Sequence, residues 1–152
     1  MKKIFLTVLV MCVFSVNVQA ADQNVQKIVA QLIKLDGSVG KLTSTVEKDH
    51  TGICQIAVDS SAEVVSVSFE GTGLYFTPVA HIFNDAKAVN ANTVLVSTDS
   101  NRPGGDACGD SGGATRYKQT VSVKANQVKI EESFRCTFEG FKKYILTSTC
   151  QL

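Results

Sequence analysis

A chain of 152 residues, 44% hydrophobic and 19% charged, is long enough to bury one core without a metal or partner and too apolar to stay disordered. Its formal net charge of +1 gives no bulk attraction toward nucleic acid or an anionic membrane, so neither is expected as a partner. The apolar stretch at residues 4–16 is too short for a permanent membrane span, and no later run approaches the required length.

The first segment has the parts of a cleavable export signal. Lys2 and Lys3 form a basic start, residues 4–16 an apolar centre, and Val18-Gln19-Ala20 a site a signal peptidase can cut. We therefore expect a signal at 1–20, a single β-rich domain at 21–152, and a secreted or periplasmic location. Leu9-Val10-Met11-Cys12 offers a rival lipoprotein signal, but Met11 is the wrong size before such a cysteine, and cutting there would leave an apolar tail at 13–18. Without Lys2 and Lys3 the formal charge becomes −1. Its distribution is uneven. Arg116, Lys118, Lys124, Lys129, Arg135, Lys142 and Lys143 face only Glu131, Glu132 and Glu139 in the last third, a basic strip that would suit an acidic partner if it is more than a solvated strand face.

In chain order, Asp22 can cap a helix at 22–36 whose Val25, Ile28, Val29, Leu32 and Ile33 follow the three-to-four spacing of one face, with Gly37 as the stop. After Gly40 the apolar period becomes two. Candidate strands follow at 41–48, 53–59, 64–70, 74–83, 93–98, 116–124, 127–138 and 142–150, the fourth interrupted by Pro78. The fold class expected is mainly β: an antiparallel meander of seven or eight strands, barrel or half-barrel, with one N-terminal helix; such a sheet must close on itself or pack the helix over its apolar face, and closure is the arrangement expected.

Turn positions suggest registers. A turn at Ala125-Asn126 sets Val123 opposite Val128, Val121 opposite Ile130, Gln119 opposite Glu132, Tyr117 opposite Phe134 and Thr115 opposite Cys136. A turn at 139–141 then brings Tyr144, Leu146 and Cys150 beside Cys136, Phe134 and Ile130, with Ser148 facing Glu132. Earlier, Cys54, Ile56 and Val58 would meet Phe69, Val67 and Val65. Gln119 and Glu132 break an otherwise apolar face, either as the polar floor of a cavity or, as we favour, at the sheet margin.

Four cysteines outlast the signal, and an oxidising compartment makes structural disulfides their expected role. Cys136 and Cys150 are too far out of register to bridge across their own hairpin. Folding back the glycine-rich loop after Cys108 can reach Cys136, which leaves Cys54 for Cys150. No close cysteine or histidine spacing suggests zinc. His50 and His81 read as surface or edge-strand residues.

Two motifs resemble known chemistry. Gly109-Asp110-Ser111-Gly112-Gly113, preceded by Cys108, resembles the nucleophile loop of chymotrypsin-like serine proteases, which would make Ser111 the nucleophile and the Gly109 and Ser111 N–H groups its oxyanion donors. That family needs two packed barrels and a histidine far upstream, and 132 residues cannot hold both. Asp99-Ser100-Asn101-Arg102-Pro103-Gly104 with Asp110 resembles a calcium-binding EF-hand loop, so Asp99, Asn101, Asp106 and Asp110 are candidate calcium ligands. Pro103 stands where an oxygen ligand is expected, and the flanks read as strands.

The functional expectation is a non-enzymatic binding protein without a cofactor, recognising a small ligand or a protein partner in the manner of an inhibitor or carrier. Lipocalin-like carriers and small periplasmic lysozyme inhibitors share this plan, although no signature residue of either is present. The alternatives are a small secreted hydrolase using Ser111 and a calcium-binding loop at 99–110.

Overall fold

The computed structural model describes residues 22–47, 50–97, 101–102, 108, 114–137, 140 and 142–152. The signal expected at 1–20 lies outside them. So do Asp99, Asp106, Asp110 and Ser111, and of Asn101 only the backbone is described.

Helix α1 spans Gln23–Lys34, where the spacing places it, and Asp22 caps it by accepting a hydrogen bond from the Asn24 N–H at 2.9 Å. Val25, Ile28 and Leu32 are buried, while Ile33 at the edge of the apolar stripe is 49% exposed. Beyond α1 the chain is stitched to a strand: Gly37 N–H donates to Ile56 O, Ile56 N–H to Ser38 O, and Val58 N–H to Asp36 Oδ1.

The strands are β1 (Val39–Ser44), β2 (His50–Ser60), β3 (Val64–Glu70), β4 (Val79–Phe83), β5 (Lys87–Asn90), β6 (Thr93–Ser97), β7 (Asn101–Arg102), β8 (Ala114–Lys124), β9 (Gln127–Cys136) and β10 (Lys143–Gln151). They form one antiparallel sheet in the order β4-β3-β2-β1-β10-β9-β8-β6-β5, with β7 beside β8. Two meanders, β1–β4 and β8–β10, are thus joined by pairing of β1 with β10. The result is a mainly β half-barrel with one helix.

The ladder leaves β4 and β5 as edges, and α1 supplies the missing wall. Val25, Ile28 and Leu32 share one apolar cluster with inward residues of β1–β4, β6 and β8–β10, among them Leu42, Ile56, Phe69, Val94, Val121 and Ile130. This arrangement settles the choice between closure and helix cover in favour of the helix. Relative to the expected strands, the stretch 74–83 is a strand only from Val79, because Pro78 cannot continue a paired strand and Gly71 and Gly73 take positive φ. β5 and β7 are additional.

Three registers differ from expectation. The β2–β3 turn sits one residue later, with Ser61 bonded to Val64 through backbone and side chain, so Ile56 faces Phe69 and Val58 faces Val67. β9 stops at Cys136, where its disulfide holds it, and the connection to β10 is wider. Tyr144 therefore faces Phe134, Leu146 faces Glu132 and Ser148 faces Ile130. Both slips are of two residues, so every side chain keeps its face. The third is a bulge in β8: Arg116 and Tyr117 together oppose Phe134, and Ala114 replaces Thr115 as the partner of Cys136.

Cys54 is bridged to Cys150 and Cys108 to Cys136, with Cα separations of 5.9 and 5.6 Å. The first bridge links β2 to β10 across the intervening β1. Cys54's partner on β1 is Gly40, where any Cβ would collide with the carbonyl of Gln151. Two disulfides are compatible with an oxidising compartment. No described helix is long and apolar enough to cross a membrane.

Candidate functional site

The polar pair that the sequence singled out on an apolar face, Gln119 with Glu132, lies on β8 and β9. Both strands have neighbours on either side, so the pair is not at the sheet margin as expected. Gln119 is 6% exposed. Its Nε2 donates to Glu132 Oε1 and to Val79 O, each at 2.8 Å, and the Tyr117 hydroxyl donates to the same Glu132 oxygen at 2.6 Å. The bond to Val79 fastens edge strand β4 to β8, closing part of the gap that the ladder leaves open.

Tyr117 was not part of the expected pair, but its position two residues from Gln119 on an inward face was a signal available in the sequence. Glu132 is half-buried and accepts from two donors, which makes it a bonded structural group. Across the described residues no buried side-chain nitrogen or oxygen lacks a partner. Among the described residues the interior consists of apolar side chains and bonded polar ones, including the Ser44–Ser148 hydroxyl pair at 2.9 Å.

A serine–imidazole contact does occur, though not at Ser111. Ser66 Oγ and His81 Nδ1 are 2.8 Å apart on β3 and edge strand β4, and Asp59 of β2 is the cross-strand partner of Ser66. Chemically this rung is poor hydrolase machinery. The serine sits between the carboxylate and the imidazole, the contact is exposed, and the backbone of β3 is paired on both sides, leaving no free N–H pair for an oxyanion. No three His, Cys, Asp or Glu side chains among the described residues come together as a metal set.

The most distinctive surface is the connection between β3 and β4. Tyr75 is 85% exposed and Phe76 45%, and their rings meet edge to face with centroids 4.7 Å apart. The loop is braced from below. Tyr75 N–H donates to Glu47 Oε1 at 2.6 Å, His50 Nε2 lies 2.9 Å from Thr72 O, and Leu74 N–H donates to Thr72 Oγ1. Leu74 packs against the main core. His50 thus has a structural task at the start of β2. In the sequence, Gly71-Thr72-Gly73 before Leu-Tyr-Phe, with Pro78 after, marks a loop that alternation alone disguises as a strand.

A second surface lies at the same end of the half-barrel, where β8 begins, β9 ends and β10 begins. Arg135 and Lys143 are cross-strand partners there, Lys118 faces Ser133, and Ser133 in turn faces Ile145. Arg116, in the bulge, has φ 52 and an exposed side chain.

No protein-family model and no curated protein matches the chain. Among solved structures it is similar to a redesigned β-barrel at 14% identity, over 80% of this chain and 94% of that one, with a TM-score of 0.39.

Proposed function

We propose that the chain is an exported, non-enzymatic binding protein that engages a protein partner through the rim carrying Tyr75 and Phe76. The observation that supports this most is the exposed aromatic pair on a braced loop. Aromatic side chains left in water cost free energy, and Tyr supplies large contact area with little conformational entropy to lose, which is why it concentrates at binding hot spots. Bracing by Glu47, His50 and Thr72 lowers the ordering cost of association further. A helix laid over the apolar face of the sheet favours such surface recognition over a carrier role, and the rung order at Ser66 and His81 favours binding over hydrolysis.

The test is photo-crosslinking from position 75 in the native export milieu, identification of the captured protein, and binding with both partners purified. Tyr75→Ala/Phe76→Ala should weaken binding by about 2–4 kcal/mol, as for an aromatic hot spot, with an unchanged unfolding midpoint. Equal affinity of the double variant would remove the aromatic rim from the account.

A further inference from the structure

We propose that the sheet end formed by the start of β8, the end of β9 and the start of β10 docks an extended, acidic polypeptide segment. Three observations converge there.

The first is charge. Lys118, Arg135, Lys143 and the bulge residue Arg116 lie on adjoining strands, and Lys142 sits with Nζ 5.1 Å from the centroid of the Tyr144 ring. Of the described carboxylates on β9, Glu132 points inward to Tyr117 and Gln119, and Glu131 bonds Lys129 at 2.9 Å. Arg116 occupies the left-handed region, where a non-glycine residue is disfavoured, and the bulge throws its guanidinium outward. Cross-strand like charges such as Arg135 and Lys143 weaken a strand pair on their own account and suit an anionic partner.

The second is an available edge. β1 pairs with β10 only as far as Ser44 and Ser148, with Thr45 N–H reaching Thr147 O one step further. Among the described residues, 143–146 then run beside β9 alone. Cys136 N–H donates to Lys142 O, which fixes the alternation: the backbone groups of Lys143 and Ile145 point toward the side that β1 has left. An extended segment can add there as a strand, its alternate side chains over the cations.

The third is Ile145, 50% exposed in the middle of this cationic group. A free phosphate engages neither an apolar residue nor a strand edge and a polysaccharide cannot extend a β-ladder, whereas a peptide engages both. The surface is independent of Tyr75 and Phe76.

The experiment titrates the mature protein with a labelled peptide alternating Glu and Val, with the same peptide methylated on alternate backbone nitrogens, and with oligogalacturonate. Expected are binding of the acidic peptide that weakens with salt, a loss of about tenfold or more on methylation, and a similar loss for Lys118→Glu/Lys143→Glu, with Tyr75→Ala/Phe76→Ala binding as wild type. No peptide binding at low salt, unaltered binding of the methylated peptide, or tighter binding of oligogalacturonate would overturn the proposal. So would self-association abolished by Lys143→Glu, which would make a second copy the occupant.

Discussion

The half-barrel holds two apolar clusters that are stabilised on different terms. Among the described residues, the larger joins α1 to the inward faces of both meanders and contains 17 buried residues; the smaller is made of Cys108, Tyr117, Phe134 and Cys136, with Tyr144 and Leu146 against it. Tyr117, Gln119 and Glu132 stand between them. In the larger cluster the sheet curls around a helix, and burial of Val, Ile, Leu and Phe carries the stability. The smaller has a stacked pair, Phe134 and Tyr144 with centroids 5.7 Å apart, a disulfide and a polar anchor in place of a helix. The lesson is a division of labour. The helix-filled part adds burial under α1 to its own Cys54–Cys150 bridge, while the end bearing the cationic surface has a bridge and hydrogen bonds but no helix.

The two bridges give the strongest way to break this comparison. Cys54–Cys150 closes a separation of 96 residues and Cys108–Cys136 one of 28, so loop entropy assigns them about 5 and about 3.5 kcal/mol. Chemical unfolding of the two double-serine variants should show the larger loss for the first. Hydrogen exchange should then separate them by place: global for the first, confined to β8–β10 for the second.

Next in size is the helix. Leu32→Ala removes a fully buried side chain and should cost about 2–5 kcal/mol, whereas Ile33→Ala at the exposed edge should cost about 0.5 kcal/mol or less in the same assay. Equal losses would mean that α1 is not the inner wall.

The polar junction follows. Gln119→Ala strips two hydrogen bonds, one of them to Val79 O, and should cost about 1–3 kcal/mol. Faster exchange at β4 should accompany it, since that bond fastens β4 to β8.

How much of this was legible in the sequence depends on the kind of signal. α1 was readable because Asp22 and the Val25–Ile28–Leu32 spacing agree on both its start and its buried face. Facing residues in β8 and β9 were readable from the Ala125-Asn126 turn until Arg116, where a bulge without glycine gives no local warning. The β2–β3 and β9–β10 registers slipped by two because alternation fixes which face a residue takes but not its partner along the strand. The bridges nevertheless join the pairs that reach and register selected. β5 escaped notice because Lys87–Asn90 is short and only Ala88 of it packs on the core. At the sites, Gln119 facing Glu132 could be seen, but the aromatic rim was hidden in an apparent strand, and the cationic strip could not be narrowed to one end without knowing where β1 stops.

In the function proposed above, the protein's own side chains occupy the interior and recognition happens on the rim. Native mass spectrometry of the protein purified with both disulfides formed is the test. The account predicts the bare mass of the disulfide-bonded chain; a small molecule retained in stoichiometric amount and lost only on unfolding would contradict it.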